Sequence, residues 1–243
     1  MIKRILFSVF VLGLGTWSSA MVSRSQAPAA DGLTATEIIA KCAEAMGGKA
    51  KIDGLRTLRV GAVYPDHGDK TFITEIKRPN MSYEAASYLV FDGKKACLLK
   101  GLDIKSGPQL VGEEDLVDFD VIVGCLFPAF FDFPSDYLGA EKVDGRLTHK
   151  IRPKLPHGAE MVYYIDAVTW LPYKISTHMT IRGQVFDAER SFSDYRDVEG
   201  ILYPHGFTYL GRDRTSVLQG RLTSVEINPL LDDAHFKIPE NIK

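Results

Sequence analysis

The sequence predicts a mainly β fold with helices (α+β): one strongly curved antiparallel sheet, an unclosed β-barrel, covered by a helical lid. Three observations predict it. From Gly54 onward, strand-like segments follow one another through short turns, with no long crossover helix between them. One amphipathic helix stands in front of that series. One very apolar run, "LVDFDVIVGCLFPAFFDFP" at 116–134, interrupts it at helical spacing and needs a surface to cover.

The chain has 243 residues, 45% hydrophobic and 25% charged, a composition that suits a globular protein with one large core. At its start, "MIKRILFSVFVLGLGTWSSA" sets Lys3 and Arg4 before an apolar segment at 5–17 and ends in Ser18, Ser19 and Ala20. These are the features of a secretory signal peptide at 1–20. The apolar segment is about 13 residues, short of the roughly 20 that a membrane span needs. No cysteine near the cut offers a lipid attachment point, so the mature chain is expected to be soluble and not membrane-spanning. Residues 21–32, rich in small and polar side chains, read as a disordered lead-in, and 33–243 as one domain. Losing Lys3 and Arg4 takes the formal charge from −2 to −4, and no basic block follows, so nucleic acid is not an expected partner.

The leading helix is "LTATEIIAKCAEAMGG". Thr34 and Glu37 make a capping box, Leu33 and Ile38 stand at staple positions, and Gly47 can end the helix. Ile38, Cys42 and Ala45 are its apolar stripe. In the next segment, "GLRTLRVGAVYP", Leu58, Val60, Ala62 and Tyr64 share one face while Arg59 points to the other. The cluster at 65–69 turns the chain back into "KTFITEIKRP". "SYLVFDGKKACLL" and "EKVDGRLTHKI" each carry an Asp-Gly pair suited to a type I′ hairpin. Five more strand patterns follow to residue 229, for nine to eleven strands in all.

The run at 116–134 is the middle helix and the predicted lid. Acidic residues Glu113, Glu114 and Asp115 suit its start. Leu116, Phe119, Val123, Leu126, Phe130 and Phe133 recur at spacings of three and four and form one apolar face. Pro128 has no N–H, so the carbonyl of Gly124 loses its helical partner and the helix must kink or break between these two residues. Gly124 and Pro128 are therefore the hinge candidates. Asp118 and Asp120 inside the run argue against a membrane span. Leaving the six side chains in water would forgo on the order of 10 kcal/mol, so they must be covered. A curved sheet offers more concave apolar area than two short helices fill, which predicts a cavity.

Several motifs carry a resemblance in their order along the chain: "LVFDGKKACLL" before the apolar helix, "VYYIDAVTWLPYKI", "SFSDYRDVEGILYPHGF" and the closing "VEINPLLDDAHFKIP". Together, over residues 33–239, they resemble the LolA/LolB-like group of outer-membrane lipoprotein-sorting proteins. That resemblance implies a half-open antiparallel barrel with a helical lid over an apolar cavity. It also implies a place in the periplasm of a Gram-negative envelope and a lipid, acyl chain or lipoprotein as ligand. Two features depart from the group. None of Arg56, Arg59 and Arg78 sits in a motif matching the arginine that gates the lid of the best-known carrier, and the tail ends soon after "HFKIP".

The ligand-binding candidates are thus Leu58, Val60 and Tyr64 on the first strand, the six lid residues, and Trp170, which reads as packing at the lip of the sheet or lining the cavity mouth. His67, His149, His157, His178, His205 and His235 are scattered without metal-ligand spacing or a neighbouring catalytic partner, and Asp232 and Asp233 read as a turn that leads Phe236 and Ile238 into the core. No enzyme motif, cofactor motif or metal site is read. Cys42, Cys97 and Cys125 allow one disulfide among three pairings or three buried thiols. The sequence therefore predicts an exported, non-enzymatic carrier of a hydrophobic ligand. The competing expectation is an envelope interaction or stress-sensing module on the same fold, with a protein partner.

Overall fold

The computed structural model describes residues 32–65, 70–100, 107–211, 217–240 and 242. The predicted signal peptide, nearly all of the lead-in, and most of the predicted 65–69 turn with His67 lie outside the described residues. Among those described, β1 (Thr57–Val63), β2 (Phe72–Lys77), β3 (Met81–Glu84), β4 (Leu89–Phe91), β5 (Ala96–Leu98), β6 (Gln109–Leu110), β7 (Ser135–Val143), β8 (Arg146–Pro153), β9 (Glu160–Asp166), β10 (Pro172–Ile181), β11 (Gln184–Val198), β12 (Ile201–Leu210) and β13 (Val217–Ile227) form one antiparallel sheet in the order β6-β5-β4-β3-β2-β1-β13-β12-β11-β10-β9-β8-β7. It does not close, because β6 (Gln109–Leu110) and β7 (Ser135–Val143) are its two edges. The chain passes from one edge to the other through the predicted lid, which therefore crosses the sheet.

Two helices come first. α1 (Ala35–Met46) has the expected capping box: Thr34 Oγ1 accepts from Glu37 N–H, and the Glu37 carboxylate accepts from Thr34 N–H at 2.8 Å. Gly47 ends it at a φ of 131°, and a methyl group there would strike the carbonyl of Gly200. Its buried face is Ile38, Cys42, Ala43 and Met46, with Ala45 only half-buried, so the stripe is rotated from the predicted one. α1 packs on β12 and β7, and the short α2 (Lys49–Gly54) leads into β1 (Thr57–Val63) at the middle of the sheet. Leu58, Val60 and Ala62 are buried as the alternation requires, while Arg59 points away to meet Glu75 and Glu226.

Two strands more than the upper expectation of eleven form, β3 (Met81–Glu84) ahead of the predicted hairpin of β4 (Leu89–Phe91) and β5 (Ala96–Leu98), and the two-residue edge β6. The hairpin at Asp144-Gly145 has both residues at positive φ, as type I′ demands. The one at Asp92-Gly93 does not follow that pattern. There Asp92 pairs with Lys95, so the turn falls on Gly93-Lys94, and the Asp92 carboxylate accepts from both lysine N–H groups. The sheet bends at irregularities between Gly61 and Ala62, between Tyr137 and Ala140, and between Pro172 and Lys174.

α3 (Val117–Leu126) packs on β10 and β3. β4 is covered on both sides. Leu89 and Phe91 meet Leu116 and Phe119 of the lid segment, while Val90 joins Cys97 and Phe236 from the tail. Phe236 is buried and Ile238 packs against it, so the tail does enter the core, with Asp232 capping the turn by accepting from Ala234 N–H. The three cysteines are free, Cys42 and Cys97 buried and Cys125 half-buried.

Candidate functional site

The lid breaks where its sequence requires. α3 ends at Leu126, Phe127 is extended (φ −139°, ψ 134°), and Ala129–Phe131 forms a separate 3-10 turn. The carbonyl that Pro128 cannot serve has another donor: the Tyr163 hydroxyl donates to Gly124 O at 2.8 Å and accepts from Ala129 N–H at 3.0 Å. Tyr203 donates to Leu126 O in the same way. Two tyrosines of the sheet floor, on β9 (Glu160–Asp166) and β12 (Ile201–Leu210), therefore replace the missing helical bonds. Burial pushes both phenols well above the usual tyrosine range, so both remain donors.

Contact at the break is close. A methyl group on Gly124 would lie 2.8 Å from the Tyr163 oxygen and 2.9 Å from Met161 Sδ, so glycine is what lets α3 sit down on β9. The cavity left between lid and sheet is about 20 Å³, lined in part by Met46, Cys125, Phe192 and Tyr195. That is room for about one water molecule. Val123, Phe127 and Phe130 of the lid segment are buried in the main core, so among the described residues the larger cavity predicted from the curved sheet is not open.

Three carboxylates of the lid segment are each held from a different part of the chain. At its start, Arg182 in the β10–β11 turn donates to Asp115 Oδ2 at 2.5 Å, while Asp115 Oδ1 is buried without a partner. Along α3, buried Asp120 accepts from the backbone N–H of His157 at 2.9 Å and meets its Nδ1 at 3.0 Å. Burial raises the Asp120 carboxyl above the usual range, against the opposing pull of these His157 bonds. At its end, Arg78 grips Asp132 through Nε at 3.0 Å and Nη2 at 2.8 Å, and donates from Nη1 to Ile52 O in α2 and to Leu55 O just after it. Its guanidinium also lies 4.5 Å from the Phe127 ring centre. Arg78, which no motif marked, is thus an arginine that joins lid and helix.

The sequence-named residues are distributed as follows. Leu58 and Val60 are buried in the main core, and Tyr64 meets the rings of Phe72 and Phe207 at 5.5 and 5.7 Å. Leu116 and Phe119 pack on β4 and β5, with Phe119 stacked on Phe91 at 4.6 Å. Val123 and Phe130 are in the main core, while Leu126 and Phe133 are half-buried against it. Buried Phe127, absent from the predicted stripe, enters because the extended backbone there ends the helical period. Gly124, Leu126 and Pro128 line the small cavity. Trp170 does not: it stacks on His149 at 5.1 Å under the Lys41 ammonium. Several histidines have partners that spacing did not reveal: His157 with Asp120, His178 with Asp187, and His235 with Glu75.

An unclosed antiparallel sheet crossed by a helical segment defines a class of architecture, and solved structures share this fold. The chain is similar to a LolA superfamily protein from Nitrosomonas europaea over 85% of this chain and 98% of that one, at 13% identity and a TM-score of 0.53. It is equally similar to a DUF1329 family protein from Desulfovibrio piger, covering 83% and 96%, at 14% identity and a TM-score of 0.53. At such identities the likeness is one of fold, and the fold is LolA-like. No family model and no curated protein sequence matches the chain. No helix among the described residues is long and apolar enough to cross a membrane.

Proposed function

We propose that this protein is an exported, non-enzymatic carrier that takes a lipid or an acyl chain beneath its lid in the bacterial envelope, with Gly124 and Pro128 as the hinge. The observation that supports this reading is how the lid is held. Its backbone is interrupted at Phe127–Pro128, and beyond apolar packing its polar ties come from the side chains of Tyr163, Tyr203, Arg78, His157 and Arg182. Such bonds can be broken and remade without unravelling a strand. A permanent core plug has no need of the interruption.

The energetics permit exchange. Raising the lid uncovers on the order of 10 kcal/mol of apolar surface, which closes the protein when empty. An acyl chain of about 14 methylenes, at roughly 0.8 kcal/mol each, replaces that surface with an equal amount. The empty protein is therefore shut and the loaded protein open at little net cost. Native mass spectrometry after purification without detergent tests the reading. A carrier retains adducts of lipid mass that organic extraction removes. A bare chain that instead copurifies with a protein would favour the interaction-module reading.

A further inference from the structure

The concave face holds a charge, that of Arg190, that no carboxylate among the described residues neutralises. On β11 (Gln184–Val198), Phe186, Ala188, Arg190 and Phe192 alternate on the side that faces the core. Arg190 is half-buried, its Nε is buried without a hydrogen-bond partner, and among the described residues no carboxylate pairs with it. Its guanidinium lies over the Phe207 ring at 4.8 Å, and Tyr64 stands edge-on to the same ring at 5.7 Å. Gly220, opposite Phe207 on β13, leaves that ring its place, since a methyl group there would overlap it.

The charge is felt under the lid. It opposes the upward push of burial on Tyr64, on Tyr203 and on the lid thiol Cys125, which come from three different elements. Glu84 of β3 also acts on Tyr64, but its own state is set by burial, Ser87 and Asp118, and not by Arg190. Arginines that serve structure in this protein are matched: Arg78 by Asp132 and two carbonyls, Arg59 by Glu75 and Glu226, Arg182 by Asp115. An uncompensated guanidinium in an apolar site weakens the fold, and such a group is kept where a ligand supplies the counter-charge.

We infer that Arg190 is the head-group anchor of the space beneath the lid, selecting amphiphiles that carry one negative charge, a carboxylate or a phosphodiester, ahead of an acyl tail. This rests on the carrier reading and narrows its ligand. The fork of donors on a guanidinium suits two oxygens of either group, and the aromatic face of Phe207 keeps that fork oriented. A single cation neutralises a monoanion. A dianion would leave one charge bare against apolar walls.

The test is displacement of a bound uncharged fluorophore, N-phenyl-1-naphthylamine, from the delipidated mature chain. Oleate and phosphatidylglycerol are the anionic probes, with monoolein and phosphatidylcholine as their neutral counterparts. At least one anionic probe should displace the dye roughly 10- to 100-fold more tightly than its counterpart, as expected for a charge-assisted bond in an apolar site. Which one does so names the head group. Arg190→Gln should erase the preference while melting at or above the parent temperature, and Arg190→Lys, which keeps the charge but not the fork, should keep only part of it. No preference in the parent, or an undiminished preference in Arg190→Gln, overturns the anchor and leaves the carrier reading standing. A parent that binds no dye at all overturns both.

Discussion

Gly124→Ala sets two physical effects against each other, and their sum depends on where the lid sits. In an isolated helix alanine is better than glycine by about 1 kcal/mol. In the closed lid the new methyl group would stand 2.8 Å from the Tyr163 hydroxyl, which is tethered by bonds to Gly124 O and Ala129 N–H, and within 3.0 Å of the Met161 thioether. Methionine can swing away, but tyrosine cannot without giving up both bonds, so overpacking should cost about 1–3 kcal/mol. The helix gain is shared by raised and lowered lids and cancels between them. The overpacking is felt only when the lid is down, so the equilibrium should move toward open by roughly 5- to 150-fold. Stopped-flow uptake of N-phenyl-1-naphthylamine should accelerate by a similar factor, and calorimetry should show a lower Tm. Slower uptake with a higher Tm, the result of helix propensity alone, would refute the placement of α3 on β9.

Two further outcomes follow from the same floor. Tyr163→Phe removes only an oxygen but strands Gly124 O and Ala129 N–H in a buried place, and chemical denaturation should show a loss of about 2–4 kcal/mol. Glu84 gives a pH dependence: burial raises its carboxyl from 4.5 to about 7, so the folded chain keeps a proton that the unfolded chain has already lost between those values. Stability should fall as pH rises through that window by about 1–3 kcal/mol, and Tm measured from pH 4.5 to 8 should lose that component of its slope in Glu84→Gln. An unchanged slope would show that Glu84 titrates like an ordinary glutamate.

Local features of the chain were legible in the sequence because they act over a few residues. The Thr34–Glu37 box, the positive-φ turn at Asp144-Gly145 and the break at Pro128 are each set by neighbours, and each formed as read. The lid's attachments were not legible, since Arg78–Asp132, Asp120–His157 and Asp115–Arg182 join residues 54, 37 and 67 apart. Nothing in local spacing announces which aspartate a distant arginine will meet. The stripe went astray at Phe127 for the same reason in miniature, because a residue in extended backbone no longer obeys a period of 3.6. Arg190 left a signal that parity could have caught: in "FDAERSF" it occupies the inward row of Phe186, Ala188 and Phe192, where a charge is out of place.

On the carrier reading, the segment 116–133 moves to admit a ligand. Glu114 and Arg182 are both exposed and face each other at 3.6 Å across the start of the lid and the β10–β11 turn. Cysteines introduced at these two positions, with Cys42, Cys97 and Cys125 replaced by serine, can be joined by a short bis-maleimide linker that contains a reducible disulfide. The linker holds the half of the lid that lies before the hinge. Uptake of N-phenyl-1-naphthylamine should be blocked in the linked protein and return when the linker is reduced. Undiminished uptake by protein confirmed as fully linked would contradict the claim and make the segment a fixed part of the core.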